Sequence, residues 1–451
     1  MKTNLFTDYR AQRASIVVLT QVMLLVALLP CGRVSAQDST VASVPFAWGD
    51  FTWLNGNDRR HTSLLDSKYF TGSVLLDMNY TYSFRHPIDN TVVGSTALAR
   101  NNEFEVSFLG LGGDLHYKHA RGRVMLQLGT RSTVVPRNDF STNRGQFDLA
   151  NAYRYFSEAN AGYHWDIWHG INLDAGIFMS YVGLFSYYNA ENWAYQPSYT
   201  SDNTPWFFNG LRLQTFPTDR LKVELWLVNG WQTYAKFNNA PGMGFQILYR
   251  PKESLSILSN GYVGTDTQDK PNRIRVHSDN SVEVRYRNRP GHFVDRTAFS
   301  ITGDLGFESG AGVTAFGGSG GPAQNFFSGM AYHRTWFSDD HFGWTFGGGF
   351  IHNPGRYLVL LPTGVAGQLW DTSPGTKFDG WDMSMTFDWT PDESQTWRIE
   401  IVHRAASVPY FAGSGGVTSP DGYTTTPVPA GWKPDQVKSE TRIILALLFR
   451  F

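Results

Sequence analysis

The C-terminal stretch from Glu440 to Phe451 alternates strictly with a period of two. Ile443, Leu445, Leu447, Phe449 and Phe451 share one face, and Arg442, Ala446 and Arg450 share the other. Successive side chains of a strand point to opposite sides, so this is a strand with one apolar and one mixed face. The pattern recurs. In 73–84, Val74, Leu76, Met78, Tyr80, Tyr82 and Phe84 oppose Asp77, Asn79, Thr81 and Ser83. In 220–227, Leu221, Val223, Leu225 and Leu227 oppose Lys222, Glu224 and Trp226. In 381–389, Trp381, Met383, Met385, Phe387 and Trp389 oppose Asp382, Ser384, Thr386 and Asp388. In 282–287, Val282, Val284 and Tyr286 oppose Glu283, Arg285 and Arg287. Residues 103–117 change phase near Leu109, where Gly110, Gly112 and Gly113 are expected to hold a bulge. Many of these segments exceed the usual globular strand of about 5–6 residues. Long strands that are apolar outside and polar inside are the signature of a transmembrane barrel.

The connections alternate in length. Seven read as short turns, at 120–122, 166–170, 216–219, 250–253, 289–292, 338–341 and 390–394. Eight are long, at 85–100, 135–152, 181–204, 233–241, 266–276, 309–322, 353–376 and 406–437. This predicts an all-β, antiparallel, up-and-down barrel of about sixteen strands with both termini on the short-turn side. Other divisions of 266–308 give 14 or 18. Trp165 and Trp168, Trp336 and Trp344, and Trp389 and Trp397 flank three of the short turns. All six are expected in an interfacial girdle.

Composition excludes the main competitors. Mean hydropathy is −0.30, too low for a bundle of membrane helices. Aromatics make up 15%, too many for a disordered chain. A net charge of −1 gives no basic surplus for nucleic acid. The one sustained apolar run, Ile16 to Leu29, follows Lys2, Arg10 and Arg13 and precedes Val34-Ser35-Ala36. That is the anatomy of a secretory signal peptide cleaved after Ala36. Cys31, the only cysteine, lies inside it, so the exported chain would fold without disulfides. The expected organisation is a signal peptide at 1–36, a periplasmic or plug-like segment at 37–66 and a barrel at 67–451.

Residues 175–232 carry Ala175-Gly176-Ile177-Phe178, then Gly183, then Asn203-Thr204-Pro205-Trp206-Phe207-Phe208-Asn209-Gly210-Leu211-Arg212-Leu213, and end in Val228-Asn229-Gly230-Trp231. This text resembles the β-barrel porin-2, OmpL-like family of Gram-negative outer-membrane proteins, and the likeness extends more loosely over most of the chain. The resemblance implies a porin-like barrel in the outer membrane. It carries no catalytic residues.

Function is therefore expected at the lumen. The expectation is a non-enzymatic channel for passive diffusion of small hydrophilic solutes, with no cofactor or metal. Competing readings are a barrel-embedded hydrolase acting on lipids and a structural or adhesive barrel with a closed lumen. His116 and His119 sit three apart, which on a strand points them to opposite sides. No hydrolase elbow, Walker loop or zinc-helix motif appears. Loop 181–204, with Phe185, Tyr187, Tyr188, Trp193, Tyr195 and Tyr199, is the expected pore constriction, together with the inward pair Arg285 and Arg287. Inward acids such as Asp77, Glu103, Asp382, Asp388 and Glu400 and inward bases such as Arg123, Arg131 and Arg398 are similar in number, which predicts weak charge selectivity. Phe449 and Phe451 resemble the terminal signal read by the barrel-assembly machinery. That machinery, membrane lipid and small solutes are the expected partners, and homo-oligomers are compatible with the fold.

Overall fold

The computed structural model describes residues 43–61, 63–136, 139, 141, 144–355, 357 and 377–451. The proposed signal peptide at 1–36 and most of loop 353–376 lie outside the described residues.

Fifteen strands and one closing strand form a closed antiparallel barrel. They are β1 (Phe70–Ser83), β2 (Phe104–Tyr117), β3 (Ala120–Leu128), β4 (Phe156–Trp165) and β5 (Ile171–Met179). Then come β6 (Phe207–Thr218), β7 (Leu221–Val228), β8 (Gly242–Lys252), β9 (Leu255–Gly264) and β10 (Ile274–Asn288). The circuit continues through β11 (Val294–Ser309), β12 (Asn325–Phe337), β13 (Phe342–Asn353), β14 (Phe378–Asp392) and β15 (Gln395–Ala406) to the closing strand Ser439–Arg450. The count is sixteen, with the seven short turns and eight long loops read from the sequence. Each strand pairs with its sequence neighbour, and the closing strand joins β15 to β1. Closure leaves no sheet edge in lipid, where an unpaired backbone group has no water to turn to. A two-stranded ladder, Phe411–Ala412 on Gln436–Val437, lies in the last long loop.

Burial follows the alternation. On β14, Trp381, Met383, Met385, Phe387 and Trp389 are exposed, while Asp382, Ser384, Thr386 and Asp388 are buried in the lumen. On the closing strand Leu445 faces outward and Arg442 is fully buried beside Glu440. A Lys or Arg at a mid-membrane outward site costs about 2–4 kcal/mol. Leu445→Arg is therefore expected to lower folding yield into lipid vesicles far more than Arg442→Leu. Equal losses, or the reverse order, measured by the shift in gel mobility on heating, would reject this register.

Three expectations change. The phase shift in β2 is not at Gly110–Gly113. The ladder with β1 slips between Val106 and Phe108. Ser107 and Phe108 both face the lumen there, and the Asn79 amide donates to the Ser107 hydroxyl at 2.5 Å. A polar anchor inside the barrel, rather than glycine freedom, places the bulge. Trp336 is not in the girdle. It has the parity of Tyr332 and Arg334 and is buried in the lumen, while Trp165, Trp168, Trp344, Trp389 and Trp397 are exposed. Glu103 lies in a loop and Arg131 opens a short helical turn, Arg131–Val134, so strand alternation does not apply to them. Glu103 pairs with Arg100 near the surface, and Arg131 packs over the Tyr187 ring.

Candidate pore constriction

The chain between β5 and β6 does not stay outside. It folds into the barrel and crosses the lumen, held by side chains from β1, β3 and β4, from β14 and β15, and, across from β4, by Tyr332, Arg334 and Trp336 of β12. From the β1–β4 side, Tyr187 donates its hydroxyl to Gln127 at 2.8 Å, and Tyr188 donates to Glu158 at 2.8 Å. The Asn189 amide donates to Asp77 at 2.8 Å, and the Tyr195 hydroxyl donates to the same carboxylate at 2.7 Å. From β15, just past the closing strand, Glu400 accepts the backbone N–H groups of Tyr195 and Gln196 at 2.6 and 2.9 Å. Asp382 accepts from the Ser198 hydroxyl and the Tyr199 N–H, both at 2.8 Å. Arg404 stacks over the Tyr199 ring and pairs with Asp202 at 2.9 Å.

All six aromatics expected in this loop are thus brought into the lumen, Phe185 against Tyr332. Trp193 and Tyr195 are completely buried. Buried polar groups carry a heavy cost when unpaired, so these bonds hold the loop in one place.

Arg285 and Arg287 do not join this cluster. Arg285 contacts Glu253 at 2.5 Å and lies near Asp50 and the Trp53 ring, while Arg287 bonds the Val294 carbonyl beside a short turn.

Arg285 also faces the N-terminal segment, for which the sequence left a periplasmic and a plug-like reading open. Residues 43–61 enter at the short-turn end: the Phe46 N–H meets Asp219, the Trp53 indole meets Glu253 and the His61 N–H meets Glu393. Trp53, Leu54 and Asn55 then rise into the lumen and are buried. Asn55 joins three elements. Its N–H donates to Glu283 at 2.8 Å, and its side-chain oxygen accepts the Trp193 N–H at 2.7 Å. The Trp193 indole in turn donates to the Trp53 carbonyl at 3.1 Å. The segment therefore sits directly beneath the infolded loop. Only Asn55-Gly56-Asn57-Asp58, a run of turn formers, hinted at a fixed bend here.

A second feature escaped sequence reading. Phe178, Tyr181, Phe208, Trp226, Trp231 and Tyr262 form a packed aromatic band on the inner wall. Tyr181 stacks on Phe208 and Trp226, with ring centres 4.9 and 4.8 Å apart. From the long-loop end, Leu98 and Ala97 descend onto Tyr195, Val402 and Ile444.

The family described as putative beta-barrel porin-2, OmpL-like, matches residues 69–451. The chain belongs to this family. It lies in the outer membrane, as that family does. Solved structures with a similar course of chain include OmpT of Vibrio cholerae, 9% identical, with a TM-score of 0.47 over 86% of this chain and 99% of that one. DcaP of Acinetobacter baumannii is 9% identical, with a TM-score of 0.45 over 85% and 96%. OmpF of Salmonella typhi, solved in complex with daunomycin, is 10% identical, with a TM-score of 0.45 over 85% and 97%. A comparison with curated proteins gave no match.

Proposed function

We propose that this barrel is a non-enzymatic outer-membrane channel for the passive diffusion of small hydrophilic solutes, exported by residues 1–36 and narrowed by loop 181–204 together with the segment before β1. The observation that carries the reading is the loop itself, anchored across a lumen whose walls bear charged and polar side chains. A wide barrel left unfilled would be a broad aqueous channel, and an infolded loop sets its size limit. In the competing closed-lumen reading the same two segments seal the barrel, and conductance separates the two. Replacing Tyr187, Tyr188 and Trp193 together by Ala is expected to raise single-channel conductance and the liposome-swelling rate with larger sugars. A wild-type barrel that passes no current, or a triple variant with an unchanged size limit, removes the proposal.

The loop also supplies a pH dependence. Burial, with Asp58 nearby, pushes the Glu191 carboxyl up to about 7. In the unfolded chain it ionises near its ordinary value of 4.5. Between these values the docked loop holds a proton that the free chain has lost, so docking is strongest below 4.5 and weakens as pH rises toward 7. Conductance is expected to increase from pH 5 to pH 8. In Glu191→Gln that increase disappears and the low-pH level persists. A pH response in Glu191→Gln equal to wild type contradicts the assignment.

A further inference from the structure

We propose that the N-terminal segment, β11, β12 and the closing strand together form a binding site for a small oxyanion, of which inorganic phosphate is the simplest example. The proposal names a solute class for the channel reading above and rests on that reading only for how the anion arrives.

A cavity of about 320 Å³ opens at the short-turn end between the N-terminal segment and the wall. Arg59, Arg296, Arg334 and Arg450 line it, with Trp336 and Thr396. Behind it, two carboxylates are each shared by two guanidinium groups. Arg334 and Arg398 are both buried and both contact one carboxylate, Asp388, at 2.8 and 2.6 Å. Arg59 lies within electrostatic reach of Asp388, Arg334, Arg398 and Arg450. Arg450 shares Asp58 with Arg60, at 2.9 and 2.6 Å. Four guanidinium groups thus share two carboxylates, with Arg59 beside Asp388.

Donors also remain unused. The Nε atoms of Arg59 and Arg334 and one terminal nitrogen of Arg60 are buried without a hydrogen-bond partner. A buried charge whose donors are unmet is costly, and an anion in the cavity would relieve both the charge and the donors. Four acids also line the cavity, and each is occupied at the turns around its rim. Asp340 pairs with Arg296, and Asp339 accepts the Gly291 N–H. Asp392 caps its own turn through Ser394 and Gln395, and Glu393 accepts the His61 N–H.

The chemistry selects the ligand class. Guanidinium presents paired N–H groups in a plane, which match two oxygens of a phosphate or carboxylate and are poorly used by a spherical ion. At about 30 Å³ per water the cavity holds on the order of ten waters. That suits phosphate or a short dicarboxylate with some hydration, and it excludes an oligosaccharide.

The test is calorimetric titration of phosphate into the full refolded barrel in zwitterionic detergent, at fixed ionic strength, with chloride as the comparison anion. Saturable phosphate binding is expected, with chloride much weaker. Arg59→Gln and Arg334→Gln should each lose at least about tenfold in affinity, or 1.4 kcal/mol. Lys118→Gln, at the exposed β2–β3 turn, should bind as wild type does. Arg334 is part of the wall and its loss could impair folding. Arg59 is on the segment, so its variant keeps the barrel intact, and heat-shifted gel mobility confirms that. No saturable binding, equal binding of chloride, or undiminished binding by Arg59→Gln overturns the site. Conductance in potassium chloride is read separately. A barrel that conducts without binding phosphate loses this site and keeps its channel, and one that binds without conducting keeps the site and loses the channel.

Discussion

Removing residues 43–60 is expected to raise single-channel conductance several-fold while leaving the barrel folded. The segment is not part of the wall. Its buried contacts are with inward side chains and with the infolded loop, through Asn55, Trp53 and Trp193. The strands retain every ladder bond without it. A milder version is Trp53→Ala. Truncating a buried Trp costs about 3–5 kcal/mol, enough to undock a segment held by a few hydrogen bonds. The loop should respond to the same change, because undocking takes the Trp53 backbone carbonyl away from the Trp193 indole. Trp53→Ala and Trp193→Ala should then be non-additive in their effect on conductance, as expected of groups in contact. Planar-bilayer recording of the two single variants and the double variant measures this. Unchanged conductance on removing 43–60 would show that the segment is not what narrows the lumen. Additive effects would show that it acts independently of the loop.

How far the sequence carried the argument depended on which physical rule governed each residue. Strand positions were legible because lipid and lumen impose a period of two, and a one-residue slip would put Asp382 and Asp388 into lipid. The short turns were legible because their residues are turn formers, as in Asp339-Asp340 and Pro391-Asp392. Trp336 was misplaced because nearness to a turn was given more weight than parity; its neighbour Arg334, two residues away and inward, carried the correction. The Ser107 bulge follows from a hydrogen bond to Asn79 on another strand, 28 residues away. No local pattern encodes such a contact.

The same distinction divides the candidate site. The aromatic loop stood out by composition and length, and its aromatics do lie in the lumen. Its anchors Asp77, Glu400 and Asp382 were recognised as inward acids, but not as partners of the loop, because three strands distant in sequence present them together. Arg285 was recognised as inward and assigned to the wrong neighbour for the same reason: it meets Glu253 at the β8–β9 turn and Asp50 of a segment with no periodicity to read.

Deleting residues 442–451 is expected to abolish assembly. Two ladders end on this strand. Leu75 to Ser83 of β1 pair with Arg450 to Arg442, and Gln395 to Val402 of β15 pair with Phe449 to Arg442. The terminal residue takes part, since Phe451 and Val74 exchange backbone hydrogen bonds at 2.8 Å in both directions. Without the strand, β1 and β15 each present an open edge, and every unsatisfied backbone group in the hydrocarbon costs several kcal/mol. Summed over even a few positions, this exceeds the roughly 5–15 kcal/mol by which a folded protein is stable. The loss should therefore be complete rather than graded, leaving protease-sensitive, heat-insensitive material in place of membrane-inserted protein. Phe449→Ala with Phe451→Ala separates closure from recognition by the assembly machinery. Both backbones remain, so refolding into vesicles should proceed, while insertion in cells should fall if these rings are read as a signal. A heat-modifiable, membrane-inserted product from the 442–451 deletion would show that the closing strand is dispensable and that the sheet closes without it.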